Sequence, residues 1–223
     1  MNKLNAVGDD NLLGGDGDDV MFGDSLFTDD LADAHGLTNV LDGSGWEVFA
    51  KLEAGESTTN PGWTREDTIE YIRDNAEALA AESLDGQGVG RLGGDDVLFG
   101  GFGDDVIFGQ EGDDVIYGQD GSDLLSGGSG ADTFVLRDGE TGVDTITDFN
   151  IADGDVLDIS DVLTDYDPVT DNLSDFVQVT EDSGNTLVQV APEGNGSFTT
   201  VAVLDGITGL DVDDLATGGN LIA

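Results

Sequence analysis

Large apolar residues recur along this chain at a fixed interval of nine: Leu98, Ile107, Ile116, Leu125 and Phe134. Leu12 and Met21 repeat the interval near the N-terminus. Most are flanked by β-formers, as in Val106-Ile107-Phe108, and each triplet follows six glycine- and aspartate-rich residues. Three β-formers make a short strand. The six residues before them make a turn, since glycine permits the positive φ that tight turns demand. Turn, strand, turn, strand gives an 18-residue coil. The pattern therefore predicts a flattened parallel β-roll, with the seven periodic apolar residues as its interior column.

Aspartates keep the same phase. Asp96, Asp105, Asp114, Asp123 and Asp132 are nine apart, as are Asp10 and Asp19. Gly100–Phe108 shows the whole unit, G-G-x-G-x-D-x-U-x with U apolar, and Gly14–Phe22 is a second full copy. Asn5–Leu13 is a degraded copy in which Asn5 and Ala6 replace glycines. Stacked coils lie about 4.8 Å apart, so the aspartates on one edge stand over one another at that spacing. Two like charges so placed repel by about 1 kcal/mol in water and several times more near a protein surface. A divalent cation between coils reverses the sign. Carboxylates and turn carbonyls supply about six oxygens, which suits Ca2+ better than Mg2+. The expected ligands are Asp10, Asp96, Asp114 and Asp132 on one edge, and Asp19, Asp105 and Asp123 on the other. Carbonyls come from turns holding Gly15, Gly17, Gly101, Gly103, Gly112, Gly121, Gly128 and Gly130. Pairing neighbours gives about five ions in the roll.

The phase breaks once. Asp19 and Asp96 are 77 residues apart, one nine-residue step plus 68. Gly23-Asp24-Ser25 opens a repeat that Gly94-Asp95-Asp96 can finish, so residues 26–93 read as an insertion in one turn, a placement that costs little entropy. Its pattern is helical. Ser44-Gly45-Trp46-Glu47 and Thr64-Arg65-Glu66-Asp67 resemble capping boxes. Ile69, Ile72, Ala76 and Leu79 share a helical face. Two helices are expected, covering some of the aromatic ninth positions Phe22, Phe99, Phe108 and Tyr117 on the outside of the roll.

The nonapeptides stop at Val135. Residues 136–223 read as a β-rich cap that shields the open end of the solenoid. Within it Val177 and Val179 match Val188 and Val190 across a hairpin turned at Asp182-Ser183-Gly184-Asn185. Residues around Thr199–Leu204 make a further strand, and the tail reads as a last strand and a loose end.

Composition sharpens this picture. The 223 residues carry 49 Asp plus Glu against 6 Lys plus Arg, a net charge of −43. That balance argues against nucleic acid or anionic lipid and for hard cations. Cysteine is absent, so disulfides, thiolate metal sites and cysteine nucleophiles are excluded. No apolar run is long enough to span a membrane, and no Sec-type leader opens the sequence. The lone histidine, His35, rules out a His-Glu-x-x-His zinc site and reads as a solvated residue. Neither a nucleophile elbow nor a phosphate-binding loop occurs. The chain reads as non-catalytic. Trp46 and Trp63 read as packing residues of the insert.

The nonapeptides at 5–25 and 94–135 resemble those of the RTX (repeats-in-toxin) family. The order of parts is similar to something narrower, the C-terminal secretion-target region of large bacterial RTX adhesins. The carrying residues are the split roll, "DTIEYIRDNAEAL", the run "GADTFV…DTITDF…GDVLDISDVL", and "FTTVAVLDGI". The resemblance implies a secreted, calcium-binding module at the bacterial cell surface, part of a longer adhesin chain active in adhesion and biofilms. It implies export by type I machinery, a transporter and an outer-membrane channel that read an uncleaved C-terminal signal within 136–223. It also implies extracellular calcium binding by the sixth-position aspartates and turn carbonyls. Two further readings stay open: a calcium-dependent adhesive module, and the noncatalytic tail of a secreted hydrolase.

Overall fold

The computed structural model describes residues 11–23, 29–37, 46–80 and 94–223. Two compact units share the chain: Met1–Gly8 with Asp24–Gly93, and Asp9–Gly23 with Gly94–Ala223. Asp10 lies outside the described residues.

The larger unit is a parallel β-roll. Strands β1 (Asn11–Asp16), β3 (Val97–Phe102), β5 (Val115–Asp120), β7 (Thr133–Val135), β9 (Val156–Asp158) and β13 (Leu221–Ile222) form one sheet in that order, and every pairing in it is parallel. Strands β2 (Val20–Phe22), β4 (Val106–Glu111), β6 (Leu124–Ser129), β8 (Asp144–Ile146) and β12 (Thr199–Leu204) are parallel neighbours in the second sheet. Antiparallel β11 (Asn185–Val190) and β10 (Val177–Asp182) complete that sheet.

Register explains the alternation. Val97 pairs with Val115 and Val106 with Leu124, a step of 18, so each coil contributes one strand to each sheet. Asn11 pairs with Val97 and Val20 with Val106, a step of 86. The excess over 18 is 68 residues on both sheets, so the coil resumes in phase after the intervening segment. The interior column holds Met21, Leu98, Ile107, Ile116, Leu125 and Phe134, all buried, and runs on through Ile146 and Leu157. Outside, the ninth-position rings stack along each sheet, Phe22 on Phe108 at 5.4 Å and Phe99 on Tyr117 at 4.6 Å, with the Arg137 guanidinium 4.5 Å over Tyr117.

The sheets continue past the last nonapeptide. β8 and β9 add a further coil, and the hairpin β10–β11 then closes one sheet. Val177 opposes Val190 and Val179 opposes Val188, with Ser183 and Gly184 at φ 55° and 96° forming the primed turn such hairpins favour. The tail is not a loose end. It forms a helix, α4 (Val212–Gly218), before β13. The Asp211 side chain accepts from the Asp214 N–H, and Gly219 stops the helix in the left-handed conformation.

The smaller unit holds α1 (Asp29–Ala34), α2 (Trp46–Glu53) and α3 (Arg65–Ala80) among its described residues, one helix more than the pattern suggested. Thr64 and Asp67 cap α3 reciprocally: Thr64 N donates to Asp67 Oδ2 at 2.6 Å, and Asp67 N to Thr64 Oγ1 at 3.3 Å. Its buried stripe is Thr68, Ile72 and Leu79, while Ile69 is exposed. Ile72 and Leu79 are buried as the expected face required, and Thr68 takes the inward place expected of Ile69. The Trp63 indole donates to Thr68 Oγ1 at 2.8 Å, which holds that hydroxyl inside without a penalty. His35 is anchored rather than solvated, with Nδ1 3.2 Å from Ser57 Oγ and its ring edge-on to Trp63.

Candidate calcium centres

Each six-residue turn places its sixth-position aspartate just ahead of a strand, facing the stacked turn on its N-terminal side. Asp96, Asp114 and Asp132 fall on one edge of the roll, and Asp19, Asp105 and Asp123 on the other. Along each edge one link recurs. The N–H of one aspartate donates to Oδ1 of the aspartate in the next coil: Asp96 to Asp114 at 2.8 Å, Asp114 to Asp132 at 3.0 Å, Asp19 to Asp105 at 2.7 Å, and Asp105 to Asp123 at 2.8 Å. These bonds fix the carboxylates over one another at coil spacing.

The second oxygen behaves differently. In Asp19, Asp105, Asp123 and Asp132, Oδ2 is buried and accepts no hydrogen bond. Asp105 and Asp132 are 1% and 0% exposed. A buried carboxylate oxygen without a donor costs several kcal/mol unless it meets a cation or a proton. Burial accordingly pushes the carboxyl of Asp105 up to about 6 and that of Asp132 up to about 7, with the charges of neighbouring aspartates adding to the rise.

The turn backbones stack closely on one another. All eight expected turn glycines, Gly15, Gly17, Gly101, Gly103, Gly112, Gly121, Gly128 and Gly130, take positive φ. Gly121, at φ 154°, shows what that achieves: a Cβ there would collide with the carbonyl oxygen of Gly103 in the coil before. The turns thus stack backbone on backbone, which only glycine allows. Where a repeat has glutamine at its second place, Gln110 and Gln119 are forced to φ 86° and 74°. First-position glycines face the carboxylate of their own repeat, Gly100 beside Asp105 and Gly109 beside Asp114. Gly23 faces Asp96 in the same way across the intervening segment, so these two ends complete one turn.

Donor set and shape fit a hard cation: carboxylates from two coils, with backbone carbonyls in the stacked turns. The described residues contain no group of three or more His, Asp or Glu side chains poised on one metal. Carbonyl-rich sites of two carboxylates do not need one.

Three features escaped sequence reasoning. Asp144 and Asp155 prolong the two rows, with Oδ1 accepting from Asp123 N and Asp132 N at 3.1 Å each. Both are buried, and burial raises both carboxyls, that of Asp144 to about 8. They stand 21 and 23 residues beyond their partners instead of 18, so a nine-residue ruler passes over them. The surviving signal is Asp-x-apolar, in Asp144-Thr145-Ile146 and Asp155-Val156-Leu157. Fifth-position residues also form a ladder in the opposite sense: Asp95 Oδ1 accepts from Asp113 N at 2.9 Å, and Asp113 Oδ1 from Ala131 N at 2.8 Å.

A family model for the RTX calcium-binding nonapeptide repeat matches in four copies, at residues 7–25, 92–125, 99–134 and 108–146. No curated protein matches the chain. Among solved structures, it is similar to the AlgE6R3 subunit of the Azotobacter vinelandii mannuronan C5-epimerase, with 26% identity and a TM-score of 0.39, over 56% of this chain and 71% of that one. It is also similar to the AlgE6R2 subunit of the same enzyme, with 22% identity and a TM-score of 0.38, over 58% and 80%. The matched stretches, residues 7–25 and 92–146, are RTX calcium-binding nonapeptide repeats, and they form a calcium-binding β-roll. Among the described residues, no helix is long and apolar enough to cross a membrane.

Proposed function

We propose that this module is a non-catalytic, calcium-gated folding unit that carries the C-terminal type I secretion signal of a large bacterial surface adhesin. The sixth-position aspartates and turn glycines are its ligands. The observation that carries the reading is the row of buried carboxylates whose second oxygen has no donor. At low calcium, repulsion along both edges opposes the roll and keeps the chain open enough to thread through a transporter and channel. Outside the cell, calcium at millimolar levels exceeds the dissociation constants of about 0.1–1 mM typical of extracellular modules. Each site then adds RT ln(1 + [Ca]/Kd), about 1 kcal/mol at fivefold excess, and several sites act together. Folding outside blocks the return of the chain. The absence of cysteine suits a chain that must cross unfolded.

The division into a split roll at 1–25 and 94–135, an insertion at 26–93 and a cap at 136–223 belongs to this proposal. The signal lies in the cap. The test is export of a reporter fused to residues 1–223 by cells with type I machinery. Export lost on deleting 212–223, and folding of the exported fusion only with calcium, are the expected results. Export unchanged by that deletion refutes the signal. Specific binding of the isolated module to glycans or cells would favour an adhesive role instead.

A further inference from the structure

The coils outlast the nonapeptides, and the last turn on one edge differs from the rest. Leu125 pairs with Ile146, a step of 21, which sets Asp148 over Gly127, where the next repeat would have its first glycine. The Asp148 carboxylate accepts from Gly127 N at 3.1 Å and Gly128 N at 2.9 Å. Gly127 is also the residue against which Asp132 Oδ2 lies. That oxygen is buried without a hydrogen-bond donor, in a residue 0% exposed. From the next coil, Asp155 Oδ1 accepts from Asp132 N, and its Oδ2 from Asn150 N at 2.8 Å. One N–H per oxygen leaves lone pairs on that carboxylate for a cation. The charges of Asp155, Asp148 and Asp113 all press on Asp132.

The chain's tail meets this turn. The Asn220 side chain donates to the Asp155 carbonyl at 2.6 Å. Leu157 N donates to Asn220 O and Ile159 N to Ile222 O, both at 2.9 Å, so β13 docks on β9, the strand that follows Asp155. Leu215 of α4 and Leu221 of β13 are buried in the core.

The geometry points to an additional calcium site between Asp132 and Asp155, outside the nonapeptide repeats, whose occupancy fixes the docking of the C-terminal strand. It rests on the reading of the roll as calcium-binding. An ion here neutralises Asp132 and Asp155 together and holds the turn whose carbonyl receives Asn220. The tail then orders with this ion, not with the roll as a whole.

The test counts bound calcium by equilibrium dialysis and follows amide exchange at 212–223 in the full chain. Asp155→Asn keeps the Oδ1 acceptor, removes the charge and gives up the bond from Asn150 N to Oδ2. It should bind one calcium fewer than wild type and lose about tenfold in protection of the Asn220 and Ile222 amides, while Ile107 and Ile116 keep theirs. Asp105→Asn, on the other edge, should lose calcium without that loss in the tail. An equal calcium count in wild type and Asp155→Asn overturns the site. Wild type alone supplies a check that needs no variant: tail amides should gain protection over the calcium range of the last ion bound, and tail protection indifferent to calcium overturns the coupling. A wild-type chain that binds no calcium at all would instead refute the calcium-binding reading beneath it.

Discussion

Protons and calcium compete for the same carboxylates, so acidification should do part of the work of the metal. Asp105 and Asp132 are raised from 3.8 to about 6 and about 7 by burial. A carboxyl raised in the folded state stabilises that state below its unfolded value, and the contribution is lost as pH climbs through the folded value. At 1.36 kcal/mol per unit the two shifts are worth about 7 kcal/mol below pH 3.8, of which about 4 kcal/mol is gained between pH 8 and pH 5. Screening by water and counter-ions halves this, leaving roughly 2 kcal/mol in that window. Asp144, Asp123 and Asp155 shift the same way and add to it. Domains are stable by about 5–15 kcal/mol, so a term of this size shifts the balance of a marginal metal-free roll. The assay is far-ultraviolet circular dichroism of calcium-stripped protein between pH 8 and pH 5, above the sequence pI of about 4.1. β signal should grow as pH falls through 7 to 5. Asp132→Asn, which removes one raised carboxyl, should already be more ordered at pH 7.5 and should respond less to acid. A stripped chain whose spectrum is the same at both ends of this range refutes the reasoning.

Further outcomes follow from the same geometry. Calcium affinity should fall about tenfold for each pH unit below the raised carboxyl values, seen as a rising calcium midpoint between pH 8 and pH 6. Gly121→Ala should cost more than about 2 kcal/mol in calcium, since its Cβ meets the Gly103 carbonyl and its φ is 154°; thermal melting in excess calcium measures this. Gln119→Gly should stabilise the calcium-loaded roll by about 1 kcal/mol, by relieving a non-glycine residue at φ 74°, visible as a melting point higher by about 2–4 °C.

The strictly periodic parts of the fold were legible because two constraints repeat together. An apolar residue every nine positions fixes the interior column, and the glycines ahead of it fix the turns. The hairpin was legible because Val177, Val179, Val188 and Val190 alternate around an obligatory positive-φ turn. Asp144 and Asp155 were hidden by loops three and five residues longer than the repeat, which move the ruler without moving the stack. Helix α4 was hidden by its length. Seven residues burying only Leu215 leave no periodicity, although Asp211 and Gly219 mark its two ends. Ile69 misled because Thr68, polar by type, is satisfied inside by Trp63.

A calcium titration of the stripped chain at pH 7.5, followed by circular dichroism with magnesium as control, tests the central claim most directly. Millimolar calcium should convert an open chain into the β-roll cooperatively, and magnesium should not. A chelated sample with the same β spectrum and the same melting temperature as the calcium-loaded one would contradict it.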